Sequence, residues 1–146
     1  MKYSQLPMVF TLLLLFGCSE WSELKTIQED GEIFFTADNF ANTKVAFDTM
    51  TVRKMDCEVD CTYWQALRPV EKDNLPHTYS EANIRYGQQL ENITDIVPPK
   101  ALEAGKYQVS GMLFYKNING ELSGGGRFSG EFELKLVGKK LVLITD

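Results

Sequence analysis

The clearest strand pattern of the chain is in Phe128-Ser129-Gly130-Glu131-Phe132-Glu133-Leu134-Lys135-Leu136-Val137. Its large apolar residues fall on one side of an extended chain: Phe128, Phe132, Leu134 and Leu136. The charged residues between them fall on the other side: Glu131, Glu133 and Lys135. A period of two residues is typical of an antiparallel strand with one face in the core and one in water. We therefore predict a half-buried β-strand here.

Other strand-like segments surround this one. Downstream, the turn at 137–140 leads into a last apolar strand, Leu141 to Ile144; upstream, Tyr107 to Tyr115 is a strand that enters a hairpin turn at 117–120. Further strands are predicted at 32–37, 43–54 and 62–67, with a weaker one or a short helix within 80–90. The result is an all-β fold of six or seven strands, an antiparallel immunoglobulin-like β-sandwich or a small barrel.

The strand at 43–54 has an irregular pattern. Val45 and Phe47 alternate on one face, and Met50 and Val52 resume the alternation one residue out of phase. A slip of one residue in a period of two is what a β-bulge produces. We therefore expect a bulge near Asp48-Thr49.

The segment Leu102-Glu103-Ala104-Gly105-Lys106-Tyr107-Gln108-Val109 resembles the tyrosine corner of immunoglobulin-like sandwiches. The resemblance is short, and it implies that the Tyr107 hydroxyl bonds back to the upstream backbone. No family is recognised for the rest of the mature domain.

The N-terminus has the pattern of an export signal. A cationic start at Lys2 and the apolar run 7–16 lead into Leu15-Phe16-Gly17-Cys18. This motif resembles the lipobox of bacterial lipoproteins and matches it at Leu15, Gly17 and Cys18. The resemblance implies that the chain is cut before Cys18, that its thiol and new amino group are acylated, and that the protein is anchored without spanning the membrane. The uncharged run barely reaches the length of a spanning helix, and no A-x-A-like cleavage site indicates an ordinary signal peptide.

These features divide the chain into a signal peptide at 1–17, a lipidated tether at 18–30 and a β-sandwich domain at 31–146. A short helix over 21–28 is the alternative for part of the tether. In lipoproteins a residue other than Asp after the cysteine usually permits sorting to the outer membrane, and Ser19 fits that rule. We expect a lipid-anchored protein of the cell outer membrane, on its periplasmic face.

The charge balance argues against some partners. The chain has 15 Lys and Arg against 20 Asp and Glu, a net charge of −5. Loss of residues 1–17 removes Lys2 and no acid, so the mature charge is −6. An acidic surface without a basic cluster argues against nucleic acid as a partner and against direct adhesion to anionic lipid.

Cys57 and Cys61 remain once Cys18 is acylated, and in an oxidising compartment such a pair usually forms a disulfide. The cysteines of a redox pair are separated by two residues, whereas Cys57 and Cys61 are separated by three. A zinc site would need two more ligands, and His77 is the only histidine of the chain. The alternating acids Asp56, Glu58 and Asp60 suggest calcium, but the required glycine and glutamate positions of an EF-hand loop are occupied by Cys61 and Leu67. We predict a structural disulfide in a solvated acidic turn, and no metal.

No grouping of residues indicates catalysis or a cofactor. His77 lies in a predicted loop, and no G-x-S-x-G elbow accompanies a serine. The run Gly124-Gly125-Gly126 lacks the spacing and the following helix of a phosphate-binding loop, which favours a flexible hairpin loop or a glycine bulge. We assign no catalytic residue and expect that the protein is not an enzyme.

Candidate binding residues lie near the central loops. Tyr63, Trp64 and Arg68 are of the types that dominate binding hot spots, although the same residues are also common in sandwich cores. We expect a non-enzymatic binding or accessory module of the bacterial cell envelope, with an envelope protein as its partner. The alternative is a periplasmic ligand- or glycan-binding protein, or an inhibitor of a cell-wall-degrading enzyme. A hydrolase is the least favoured interpretation.

Overall fold

A computed structural model describes residues 21–36, 44–69, 83–116 and 122–145 of the chain. Within these ranges the structure is all-β, and it contains no helix that is long and apolar enough to cross a membrane. The ten strands found there are β1 (Trp21–Glu23), β2 (Lys25–Glu29), β3 (Glu32–Thr36), β4 (Lys44–Lys54), β5 (Thr62–Leu67), β6 (Asn83–Arg85), β7 (Thr94–Val97), β8 (Gly105–Lys116), β9 (Leu122–Val137) and β10 (Lys140–Ile144).

The strands form two sheets packed as a sandwich, which confirms the predicted fold class and decides against the small barrel. The larger sheet has the order β1-β9-β8-β4-β5-β7, and β10 pairs with the second half of β9. The smaller sheet has the order β2-β3-β6. The strand pairs are antiparallel apart from β1 and β9, which run parallel. Phe35 of the smaller sheet meets Phe132 of the larger one, with ring centroids 5.7 Å apart.

The core consists of the inward residues of both sheets. The largest fully buried side chains are Trp64, Tyr107, Phe35, Phe128, Met50, Ile84, Leu113, Leu134, Val52 and Val109. Burial of aromatic and branched side chains is the main favourable contribution to folding in such a sandwich. Three of the four apolar residues on the predicted inner face of β9 are buried, but Leu136 is 62% exposed because it lies at the β9–β10 end of the strand, outside the core cluster.

The N-terminal strands differ from the expected tether. Residues 21–29 form β1 and β2, so the sandwich begins before residue 31, and neither a tether through residue 30 nor a helix over 21–28 is present. The chain changes sheets at Leu24, which is buried and donates its N–H to the Ser129 carbonyl at 3.0 Å. A Cβ on Gly130 would lie 2.1 Å from the Leu24 carbonyl oxygen, so this close crossing requires a glycine. These two strands were not predicted because residues 21–29 are mostly polar, and the buried side chain where the chain crosses between the sheets is the single residue Leu24.

The bulge predicted in β4 is confirmed. The register between β4 and β8 shifts between Phe47 and Thr49. At the shift, the Met112 N–H donates to the Thr49 hydroxyl at 3.0 Å. A Cβ on Gly111 would lie 1.9 Å from the Thr49 carbonyl oxygen, so the two strands approach too closely there for any other residue.

The glycine run is part of a strand, so the prediction of a flexible loop is wrong. Residues 124–126 lie within β9, which starts at Leu122, and they pair with residues 113–115 of β8. A Cβ on Gly125 would lie 2.6 Å from the Phe114 ring, so glycine leaves room for a cross-strand aromatic side chain. The register shifts beside Gly124, where Tyr115 pairs with Gly124 and the next β8 residue with Leu122, which agrees with the alternative of a glycine bulge. The predicted turn at 117–120, His77 and residues 1–20 lie outside the described residues.

Candidate binding surface at the disulfide-loop end of the sandwich

One end of the sandwich carries a cross-linked loop. Residues 55–61, which we call the disulfide loop, connect β4 to β5, and a disulfide joins Cys57 and Cys61 with their Cα atoms 5.5 Å apart. The pairing confirms the predicted disulfide. Asp60 closes the loop with a left-handed backbone at φ 54°, a conformation that Asp tolerates better than most residues do. The disulfide and the turn at Asp60 therefore fix the conformation of the loop and of the side chains that it carries.

Hydrogen bonds from three directions brace the loop. The Lys54 N–H donates to the Cys61 carbonyl at 2.8 Å, and the Met55 N–H donates to the Lys106 carbonyl of β8 at 2.7 Å. Lys100 Nζ donates to Asp60 Oδ2 at 2.7 Å and to the Asp60 carbonyl at 3.2 Å. The same ammonium lies 5.6 Å from the centroid of the Tyr63 ring. These contacts tie the loop to β8 and to the segment before it.

A polar network lies beneath the loop and includes the predicted tyrosine corner. The Tyr107 hydroxyl donates to the Glu103 carbonyl at 3.0 Å and accepts from the Glu103 N–H at 3.1 Å, which confirms the bond back to the upstream backbone. Glu103 Oε1 accepts from Lys54 Nζ at 2.5 Å and from the Tyr63 hydroxyl at 2.6 Å. One carboxylate therefore holds the end of β4, the start of β5 and the corner before β8 together.

The network shifts the titration of its members. The Lys54 ammonium, and after it the Tyr63 hydroxyl, stabilise the ionised Glu103 carboxylate and lower its pKa. The hydrogen bond to Glu103 raises the pKa of Lys54 and is also the main reason that the pKa of Tyr63 is raised. The pKa of Tyr107 is raised mainly by burial. All these shifts favour the protonation states present at neutral pH, so the network keeps its charges and hydrogen bonds there.

Two apolar side chains project from the braced loop. Val59 is 83% exposed and Met55 is 51% exposed. They stand among three exposed acids, Asp56, Glu58 and Asp60. A single exposed apolar residue is ordinary on a protein surface. Held on a cross-linked loop, however, Val59 loses little conformational freedom on contact with a partner, which lowers the cost of binding.

The expected hot-spot residues lie in the core instead. Trp64 has no exposed surface; its Nε1–H donates to Asp95 Oδ1 at 2.9 Å, and its ring meets Tyr86 edge to face at 5.6 Å. Tyr63 is 9% exposed, and its hydroxyl donates a hydrogen bond to Glu103. Trp64 and Tyr63 are therefore core and framework residues. Of the two interpretations that the sequence left open for them, the core interpretation is correct and that of exposed binding residues is wrong. Alternation in β5 is compatible with both interpretations, and only the position of the second sheet decided between them.

Arg68 is also buried, with 9% of its surface exposed. Its N–H donates to the Asp48 carbonyl at 2.9 Å, and its side chain lines a cavity of about 150 Å³ together with Phe47, Gln88, Leu90 and other residues. A second hollow of about 220 Å³ lies between Met55, Lys106, Glu131 and Ile144. Both are smaller than the roughly 300 to 1,000 Å³ of ordinary small-molecule sites. Arg68 is thus a further correction to the expected exposed binding set.

Metal ligation finds no support in the described ranges. No group of three His, Cys, Asp or Glu residues there is arranged to hold a metal ion. The Asp60 carboxylate is held by Lys100, and both loop cysteines are in the disulfide. What the sequence did not reveal is the exposure of Val59 and Met55 at this end of the sandwich. The available signal was an apolar residue inside a cysteine loop too short to bury it.

No protein-family model, curated protein or solved structure matches this chain.

Proposed function

We propose that this protein is a lipid-anchored, non-enzymatic binding module of the bacterial cell envelope, acylated at Cys18 and held on the periplasmic face of the outer membrane. The lipobox-like residues Leu15, Gly17 and Cys18 support the anchor. The disulfide between Cys57 and Cys61 supports an oxidising compartment, where such bonds persist. These two observations are independent, and they support the same location.

The observation that carries the binding role is the exposure of Val59 on a loop fixed by a disulfide and by the ion pair of Lys100 with Asp60. A rigid apolar contact bordered by carboxylates suits a protein surface with an apolar patch and a basic rim. The partner is therefore an envelope protein of that character. The same acidic border disfavours nucleic acid, whose phosphates it would repel.

The test is crosslinking in intact cells, followed by purification from detergent-solubilised outer membrane and mass spectrometry of the captured proteins. The variant carries Val59→Ser with Met55→Ser, and the matched control is Ile96→Ser, an exposed apolar residue of β7 at 53% exposure. We expect one stoichiometric protein that the double variant loses and the control keeps. Both variants should unfold at the temperature of the unchanged protein, because neither removes a buried side chain.

Two results would contradict the proposal. The first is recovery of no partner under conditions that preserve a known envelope complex. The second is a partner that binds the double variant as well as it binds the unchanged protein, which would place the contact elsewhere. A partner that proves to be a cell-wall-degrading enzyme inhibited on binding would define the accessory role as inhibition.

A further inference from the structure

We infer that two copies of this protein pair through one end of the sandwich, with the disulfide loop of each copy against the β9–β10 hairpin of the other. The β9–β10 hairpin here means residues 135–142. The inference rests on the proposed binding role of the disulfide loop, and it names the partner of that loop as a second copy of the chain.

The β9–β10 hairpin carries an apolar patch with a basic border. Leu136, Val137 and Val142 are 62%, 60% and 36% exposed. Val137 and Val142 share one face of the hairpin with Lys135 and Lys140, because Val137 pairs with Lys140 and Val142 with Lys135. Residues 135–142 contain three lysines and no acid, a charge of +3 in a chain whose net charge is −5. The hairpin therefore has the surface that the disulfide loop is proposed to bind.

The disulfide loop is the electrostatic complement of the hairpin. Residues 55–61 contain three acids and no Lys or Arg, a charge of −3. The exposed Val59 and Met55 supply the apolar part of the contact. Two surfaces of equal and opposite charge, each with exposed apolar side chains, match the usual arrangement of an apolar interface centre with a charged rim.

Ion pairs within one copy leave charges on both surfaces for the partner. Asp60 is paired with Lys100, and Lys135 is paired with Glu133 at 3.3 Å. The loop acids and hairpin lysines that make no ion pair with a described residue are Asp56, Glu58, Lys139 and Lys140. The other described charges beside the two surfaces nearly cancel: Arg53, Lys54, Lys100, Lys106, Glu103, Glu131 and Glu133.

The topology places the loop and the hairpin side by side at the same end of the sandwich. The Met55 N–H donates to the Lys106 carbonyl, and Lys106 pairs with Glu133 of β9. From that row β9 continues four residues to Val137, about 14 Å at 3.4 Å per residue. Strand β8 separates β4 from β9, so the start of the loop lies two strand spacings, about 10 Å, from β9. A two-fold axis at this end sets each loop against the other hairpin, so that the contact forms twice.

The turn between β2 and β3 is a second acidic element near the hairpin. The bonds from Gln28 to Leu141 and Leu143 place the end of β2 beside β10. Residues 29–32 are Glu, Asp, Gly and Glu, and Glu32 is paired with Arg85 at 2.9 Å. The turn offers no apolar side chain, so it lacks the part of the contact that Val59 supplies in the disulfide loop. The loop is therefore the better match to the hairpin.

The test reverses charges in the full-length lipoprotein. Asp56→Lys with Glu58→Lys gives a loop-reversed protein, and Lys139→Glu with Lys140→Glu gives a hairpin-reversed protein. Two copies with different C-terminal affinity tags are expressed together in bacterial cells. The membranes are solubilised in a non-ionic detergent, one tag is captured, and the amount of the other tag in the captured material is measured.

The matched control reverses the neighbouring acidic turn. Glu29→Lys with Glu32→Lys makes the same change of charge as the loop reversal, at exposed positions of the smaller sheet. Every variant keeps Cys18, so copies that only share a detergent micelle are captured to the same extent in all of them. The substitutions are at exposed residues, so each variant should unfold at the temperature of the unchanged protein.

We expect unchanged copies to be captured together, and each reversed protein by itself to lose most of that capture. A loop-reversed copy expressed with a hairpin-reversed copy should restore it, because in that pair each loop again meets a hairpin of opposite charge. A chain that carries both reversals should also pair with itself. The turn-reversed control should be captured as well as the unchanged protein.

Three results would overturn the pairing of loop with hairpin: no capture of unchanged copies above the level of the loop-reversed protein, no restoration in the mixed pair, or loss of capture in the turn-reversed control. Crosslinking in intact cells separates this inference from the proposed function. A different protein captured through Val59 and Met55 would refute the self-pairing alone. Capture of neither a second copy nor another protein would refute both.

Discussion

The side chain of Gln28 completes the open edge of β10, and its removal gives the sharpest test of how this sandwich is closed. Among the described strands, β10 pairs with β9 alone, so the polar groups on its other edge need partners. Gln28 Nε2 donates to the Leu141 carbonyl at 3.0 Å, and Gln28 Oε1 accepts from the Leu143 N–H at 2.9 Å. One amide side chain of β2 therefore supplies the donor and the acceptor that the backbone of a neighbouring strand would supply.

The magnitude follows from the two bonds. Each contributes about 0.5–1.5 kcal/mol to stability, so Gln28→Ala should cost about 1–3 kcal/mol. For a domain of this size that loss corresponds to about 3 to 10 °C in Tm. The assay is thermal unfolding of the purified protein in detergent, and the control is Glu29→Ala, an exposed position on the same strand. A Gln28→Ala protein that melts within error of the Glu29→Ala control would show that these two bonds do not stabilise the edge of β10.

Gln28→Glu separates the donor from the acceptor. The new carboxylate can still accept from the Leu143 N–H, but its second oxygen faces the Leu141 carbonyl and repels it. Only the protonated carboxyl can donate to that carbonyl, so its pKa in the folded protein is raised above the unfolded value of about 4.3. The restored bond is then fully present below that unfolded pKa and is lost as pH rises through the folded pKa. A gap in Tm to the unchanged protein that does not widen between acidic and neutral pH would contradict this account.

Three further predictions test the core and the network. Gly111→Ala should destabilise the fold by about 1–3 kcal/mol or more, because its Cβ would lie 1.9 Å from the Thr49 carbonyl oxygen; a chemical denaturation midpoint unchanged from that of the parent would count against it. Trp64→Ala should cost about 3–5 kcal/mol in the same assay, since it empties a fully buried site and leaves Asp95 without its indole donor, and a cost below about 1 kcal/mol would mean that the site is not core. Glu103→Gln should make the Tm depend less on pH in the acid range. The folded pKa of Glu103 lies below its ordinary value of 4.5, so the stability that the ionised carboxylate contributes is present above that value and is lost as pH falls through the folded pKa. Tm profiles of the variant and the parent that stay parallel from neutral to acidic pH would argue against the network.

Much of the fold could be predicted because local pattern decides it. Alternation in β9 indicated which face of that strand is inward, and a one-residue slip in the pattern near Asp48 correctly located the bulge in β4. The resemblance of segment 102–109 to a tyrosine corner correctly implied the bond from Tyr107 to the upstream backbone, and the structure shows that its partner is Glu103, four residues earlier. In each case the prediction depended either on a contact between residues close in sequence or on the two-residue alternation of a strand.

The candidate surface was harder to predict because exposure is not a local property. Trp64 and Val59 stand five residues apart, yet one is fully buried and the other is 83% exposed, the reverse of what their residue types suggested for a binding role. Burial of Trp64 depends on Tyr86 and Asp95, which come from distant parts of the chain. A pattern within β5 does not contain that information.

Residues within a few positions of one another specify most of the strands, the disulfide, the bulge and the motif that predicts the anchor, so these features could be inferred from the sequence. Strands β1, β2 and β7 were not predicted. The three-dimensional structure was needed to show that residues 21–29 belong to the sandwich, that the glycine run lies inside β9 and that Gln28 closes the edge of β10. The first and last of these features depend on partners about one hundred residues away or more, such as Leu141 for Gln28. Pairing over such separations is specified by the packing of the whole sandwich, and no local stretch of sequence records it.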